Sequence, residues 1–159
     1  MAGATLRCLP PLDLVSNHQR LGEVRVMWNG YRLLVIEDDD ALCESIADVL
    51  RFTGYEVETA RDADGALQLL RDEPAPDAIL LDMVLRTTTA EQLLEDIDAR
   101  SYPHPPVVLM TGMIQQAALA PHGEPVLLKP FGIEDLLARV ERACGRPAHP
   151  WQAAGDAAR

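Results

Sequence analysis

Four apolar runs in this chain each end on a residue with polar chemistry. RLLVI (32–36) runs into Glu37 and Asp38, and DAILLD (77–82) ends on Asp82. PVVLMT (106–111) ends on Thr111, and VLLK (126–129) ends on Lys129. Carboxylates gathered in one cleft repel and raise one another's pKa unless a cation lies between them. Mg²⁺ suits such a set, because it takes one or two carboxylates, a carbonyl and several waters. Metal and ammonium can neutralise a transferring phosphoryl group, a hydroxyl can bond one of its oxygens, and a carboxylate can attack it. Asp82 is the best nucleophile candidate. It ends its strand alone, whereas Glu37 and Asp38 open a loop as a pair.

These residues are far apart in sequence, so only the fold can bring them together. After the first strand, Leu42, Ile46, Val49 and Leu50 follow at i, i+4, i+7, i+8, one face of a helix. Asp39 or Asp40 is read as its cap and dipole partner rather than as a metal ligand, and Gly54 stands at a left-handed stop. YEVET (55–59) alternates like a strand exposed on one side, at a sheet edge, and Asp62 caps a helix through Ala63, Ala66, Leu67 and Leu70. The pattern repeats with helices through Leu93, Leu94 and Ile97, around Ile114 to Leu119, and through Ile133, Leu136, Leu137 and Val140. Five βα units in about 115 residues predict a single α/β domain, a doubly wound five-stranded parallel sheet with helices on both faces. Functional groups in such folds gather beyond the carboxyl ends of the strands, where the four polar endings lie.

Composition narrows the function. The 159 residues carry a formal net charge of -11 with 4% aromatics, which disfavours a phosphate backbone, a base-stacking platform or an anionic membrane as partner. Cys8, Cys43 and Cys144 form no CxxC pair, and His18, His104, His122 and His149 show no zinc spacing. No apolar run approaches a membrane span, and residues 1–30 lack the pattern of a signal peptide, so a cytoplasmic location is expected. Residues 1–30 are read as a flexible extension, 31–144 as the organised domain, and 145–159 as a disordered Pro/Gly/Ala tail.

LLVIEDDDAL, ILLDMVL, LMTG and LLKPF, in this order, resemble the receiver domain of two-component response regulators over about residues 31 to 143. The resemblance implies a CheY-like, flavodoxin-like sheet of strand order 2-1-3-4-5. It implies that Asp82 is the phospho-acceptor and Asp38 the direct Mg²⁺ ligand, with Glu37 acting through a metal-bound water and the Val84 carbonyl as backbone ligand. Thr111 would be the switch hydroxyl and Lys129 the phosphoryl-binding residue, with a cis Lys129–Pro130 bond. The implied donor is a sensor histidine kinase, a histidine phosphotransfer protein or a small acyl phosphate. No DNA-binding, kinase or cyclase motif follows residue 145. The expected output is therefore that of a stand-alone regulator docking a downstream effector protein in a phosphorelay, without direct nucleic-acid or membrane contact.

Three departures stand out. Arg86 occupies the place of a usual Pro and Ala90 that of a usual Gly, so a less rigid loop is expected, with Ala90 avoiding a positive φ. Val126 stands where an aromatic switch residue is usual, and Pro121 limits the helix after Thr111. Val84 and Met113 should flank the path of an attacking water without orienting it, which predicts slow phosphoryl loss. Three functions therefore stay open: a phosphorylatable receiver that is not a turnover enzyme, a pseudo-receiver binding module, and an aspartyl-phosphate phosphatase. The third lacks the second acid it needs at Val84.

Overall fold

The computed structural model describes residues 29–100, 105–118, 120 and 125–145. Strands and helices alternate: β1 (Arg32–Ile36), α1 (Asp40–Phe52), β2 (Glu56–Ala60), α2 (Ala63–Asp72), β3 (Ala78–Asp82), α3 (Ala90–Ala99), β4 (Val107–Thr111), α4 (Ile114–Ala117), β5 (Val126–Leu128) and α5 (Ile133–Ala143). The strands form one parallel sheet in the order β2-β1-β3-β4-β5. The expected doubly wound architecture is thus present. The tails expected at 1–30 and 145–159 lie outside the described residues, apart from 29, 30 and 145.

Period-two alternation sorts the strand side chains into two cores. Leu33, Val35, Leu80, Val108, Met110 and Leu127 pack with Ile46 and Leu50 of α1 and Leu136 and Val140 of α5. Leu34, Ile36, Ile79, Leu81 and Leu109 pack with Leu67 and Leu70 of α2 and Leu93, Leu94 and Ile97 of α3. With Leu80 and Leu81 fully buried on opposite faces, truncating either to Ala should cost about 2–5 kcal/mol. The edge strand β2 buries Val57 on one face and exposes Glu56 and Glu58 on the other, with Ala60 at its carboxyl end turning into the opposite core.

The caps follow the predicted chemistry. Asp39 accepts from the Leu42 N–H at 3.0 Å at the start of α1, and Gly54 takes φ 96° after its end. Asp62 accepts from the Gly65 N–H at 2.8 Å. Asp40 instead pairs with Arg61 at 3.2 Å. The run Glu37–Asp40 is therefore divided between a site, a cap and a surface ion pair.

Several predicted boundaries move: β2 runs 56–60 rather than 55–59, and β3 and β4 start one residue later than expected. α4 is a single turn, Ile114–Ala117, with no buried residue and with Ile114 71% exposed. Leu119 falls outside the described side chains. β5 ends at Leu128, so Lys129 lies just past the strand.

Candidate functional site

At the carboxyl edge of the sheet, β1 delivers Glu37 and Asp38, and the neighbouring β3 delivers Asp82. One carboxylate oxygen from each of the three lies within 4.8 Å of the others. Three hard oxygen donors this close are a donor set for a divalent cation of Mg²⁺ type. The expected backbone ligand is the Val84 carbonyl. Val84 bridges Thr89 in antiparallel fashion, but the bonds that make the bridge are Leu85 N–H to Thr88 C=O and Ala90 N–H to Met83 C=O. The bridge therefore leaves the Val84 carbonyl unused, as a backbone ligand would require.

Lys129 enters from β5 and holds the two inner carboxylates. Its Nζ lies 2.6 Å from Glu37 Oε2 and 3.2 Å from Asp82 Oδ2. The Glu37 side chain is 2% exposed, and burial pushes its carboxyl above the ordinary value of 4.5. The Lys129 hydrogen bond opposes that rise, and the Asp82 charge adds to it. Burial thus outweighs carboxylate repulsion, which the sequence had put first. The Lys129–Pro130 peptide is cis.

Thr111 ends β4 and is buried. Its hydroxyl donates to Gln116 Oε1 at 2.7 Å and accepts from the Met113 N–H at 3.1 Å. Gln116 had no part in the sequence reading. It reaches Thr111 only because the chain turns immediately after the strand, which no periodicity announces.

The loop after Asp82 carries backbone bonds and buried side chains of its own. Met83 and Leu85 are buried while Asp82, Val84 and Arg86 face outward, a two-residue alternation continued past the strand. The Leu85–Thr88 backbone bond, the bridge and a Thr89–Gln92 capping box then close the turn. Ala90 opens α3 after an extended Thr89 and needs no positive φ. Backbone bonds and two buried side chains thus stand where the usual Pro and Gly are missing, and Ala90 avoids a positive φ as expected.

Arg86 carries the least expected contact. Its Nε lies 3.0 Å from Asp38 Oδ2, and a terminal nitrogen donates to the Asp38 backbone carbonyl at 2.6 Å. The alternation of DMVLR could have placed Arg86 on the same side as Asp82. Reading it only as a lost Pro hid that signal. Val126 is half-buried and packs against the core shared by α2 and α3.

Val84 and Met113 are 50% and 56% exposed, and their N–H groups lie 3.5 Å from Asp82 Oδ1 and 3.1 Å from the Thr111 hydroxyl oxygen. The five expected side chains, Glu37, Asp38, Asp82, Thr111 and Lys129, all end at this sheet edge. Among the described residues no helix is long and apolar enough to cross a membrane.

A family model described as the response regulator receiver domain matches residues 33–141. The response regulator MprA of Mycolicibacterium vanbaalenii is 35% identical over 130 residues, covering 80% of this chain and 55% of that protein. The chain spans about half the length of the curated relatives it matches. Among solved structures, the chemotaxis response regulator CheY4 of Vibrio cholerae superposes with a TM-score of 0.63 at 26% identity, covering 71% of this chain and 98% of that one. NtrX from Brucella abortus, solved in complex with ATP, gives a TM-score of 0.64 at 32% identity, over 72% of this chain and 27% of that one.

Proposed function

We propose that this chain, which belongs to the response regulator receiver family, accepts a phosphoryl group on Asp82 and signals through the resulting change in its protein contacts. One observation carries this reading. Asp82 ends the central strand with its carboxylate shared between a Lys129 ammonium at 3.2 Å and two further carboxylates within 4.8 Å.

Glu37, Asp38, Asp82 and the Val84 carbonyl would hold Mg²⁺, whose charge offsets that of the incoming phosphoryl oxygens. An Asp82 oxygen attacks phosphorus, the O–P bond forms, and the N–P bond of the donor's phosphohistidine breaks with its electron pair returning to the imidazole. Lys129 neutralises the phosphoryl oxygens. Thr111 turns its hydroxyl from Gln116 to one of those oxygens. The partners are a sensor histidine kinase or phosphotransfer protein and a downstream effector protein. A net charge of -11 over the whole chain supports output through protein rather than nucleic acid. The lack of a second acid at Val84 supports an acceptor rather than a turnover enzyme.

A second reading, a receiver-fold binding module that works without phosphate, is favoured by the Arg86 contact on Asp38. Incubation with acetyl phosphate, with and without Mg²⁺, separates the two. A Mg²⁺-dependent gain of phosphoryl mass, absent in Asp82→Asn, is expected. A folded protein that gains none would select the binding module.

A further inference from the structure

Arg86 sits where a cation must act. Its guanidinium holds both the Oδ2 and the backbone carbonyl of Asp38, one of the three carboxylates that form the cation-binding set. The inner carboxylates have their own counter-charge in Lys129, so Asp38 would otherwise be the one acid of the set without a side-chain cation. The Arg86 side chain is 76% exposed and Asp38 is 21% exposed, and exposed ion pairs hold by a factor of only about two to five. A doubly charged ion held by several oxygens can displace such a contact. Arg86 lies inside the turn closed by the Leu85–Thr88 and Met83–Ala90 backbone bonds, so its release would couple the cation site to the β3–α3 loop.

We propose that Arg86 is a built-in counter-cation: it occupies Asp38 in the metal-free protein, and Mg²⁺ must displace it to bind. This rests on the reading of Glu37, Asp38 and Asp82 as the Mg²⁺ site. It makes Arg86 a positioning residue that sets the magnesium concentration at which the site loads.

Calorimetric titration of MgCl₂ into the full chain tests the proposal, comparing wild type with Arg86→Ala, Arg86→Lys and Arg61→Ala. Arg86→Ala should bind Mg²⁺ about two- to fivefold more tightly, the factor lost with an exposed pair. Arg86→Lys, which cannot make the forked contact, should fall between. Arg61, paired with Asp40 and Glu44 on the adjacent surface, controls for a general change of charge, and its removal should move affinity by less than half as much. In ¹⁵N spectra the Arg86 Nε–H signal, identified by its loss in Arg86→Ala, should move on adding Mg²⁺. Equal or weaker binding by Arg86→Ala, or a stationary Nε–H signal as wild type saturates, overturns the displacement. No binding by any variant overturns both the displacement and the magnesium site.

Discussion

On the inner side of the site, Lys129 lies between Glu37 and Asp82 at 2.6 and 3.2 Å, with side-chain exposures of 18%, 2% and 14%. On the outer side, Arg86 reaches Asp38 at 3.0 Å with a side chain 76% exposed. Each cation meets a carboxylate at hydrogen-bonding distance, yet the surroundings differ. Where water is scarce, removing one charge strands the others, and the pairing is costly to break. Where water is plentiful, the same pairing is worth little and exchanges readily. The inner contact is suited to fix the acceptor's position, and the outer one to yield to an incoming ion.

The largest expected effect tests the inner side. Lys129→Met should lower stability by about 3 kcal/mol, the low end of what breaking a buried pair costs. Urea denaturation in chelator would read it. A loss under about 1 kcal/mol would mean that the inner pair behaves like the outer one. Val84→Asn should change the decay of the phosphorylated protein severalfold by giving an attacking water a polar partner near Asp82. An unchanged decay rate would remove Val84 from that path.

A subtler effect is one of pH. Burial raises the Glu37 carboxyl above 4.5, so the fold favours its neutral form. The stability tied to that form is complete below 4.5 and is lost as pH rises through the raised value. Without metal, Glu37→Gln should gain on wild type as pH climbs through this window, as thermal melts would show. A flat difference would mean that Lys129 compensates for burial fully. The smallest effect belongs to the outer side: Arg86→Ala should change stability by less than about 1 kcal/mol. A larger loss would make Arg86 a structural brace.

Much of this was legible in the sequence, because the parallel βα repeat sends every strand's carboxyl end to one edge. That alone placed Glu37, Asp82, Thr111 and Lys129 together, although Lys129 is 92 residues from Glu37 in sequence. The contacts at the rim were less legible. Gln116 meets Thr111 through a turn that leaves no periodic mark, and α4 is a single turn that buries none of its residues. Arg86 is the instructive case: measured against a family position it was an absence, whereas the alternation of Met83 and Leu85 made it a site residue. Local pattern carried information that comparison with a consensus discarded.

The most direct test of the account locates the phosphoryl group. Protein treated with acetyl phosphate and Mg²⁺ is trapped with labelled borohydride, which reduces an acyl phosphate, and the label is mapped by peptide mass spectrometry. The account predicts label at Asp82 alone, dependent on Mg²⁺. Label at Glu37 or Asp38, or none at Asp82 with Mg²⁺ present, would contradict it.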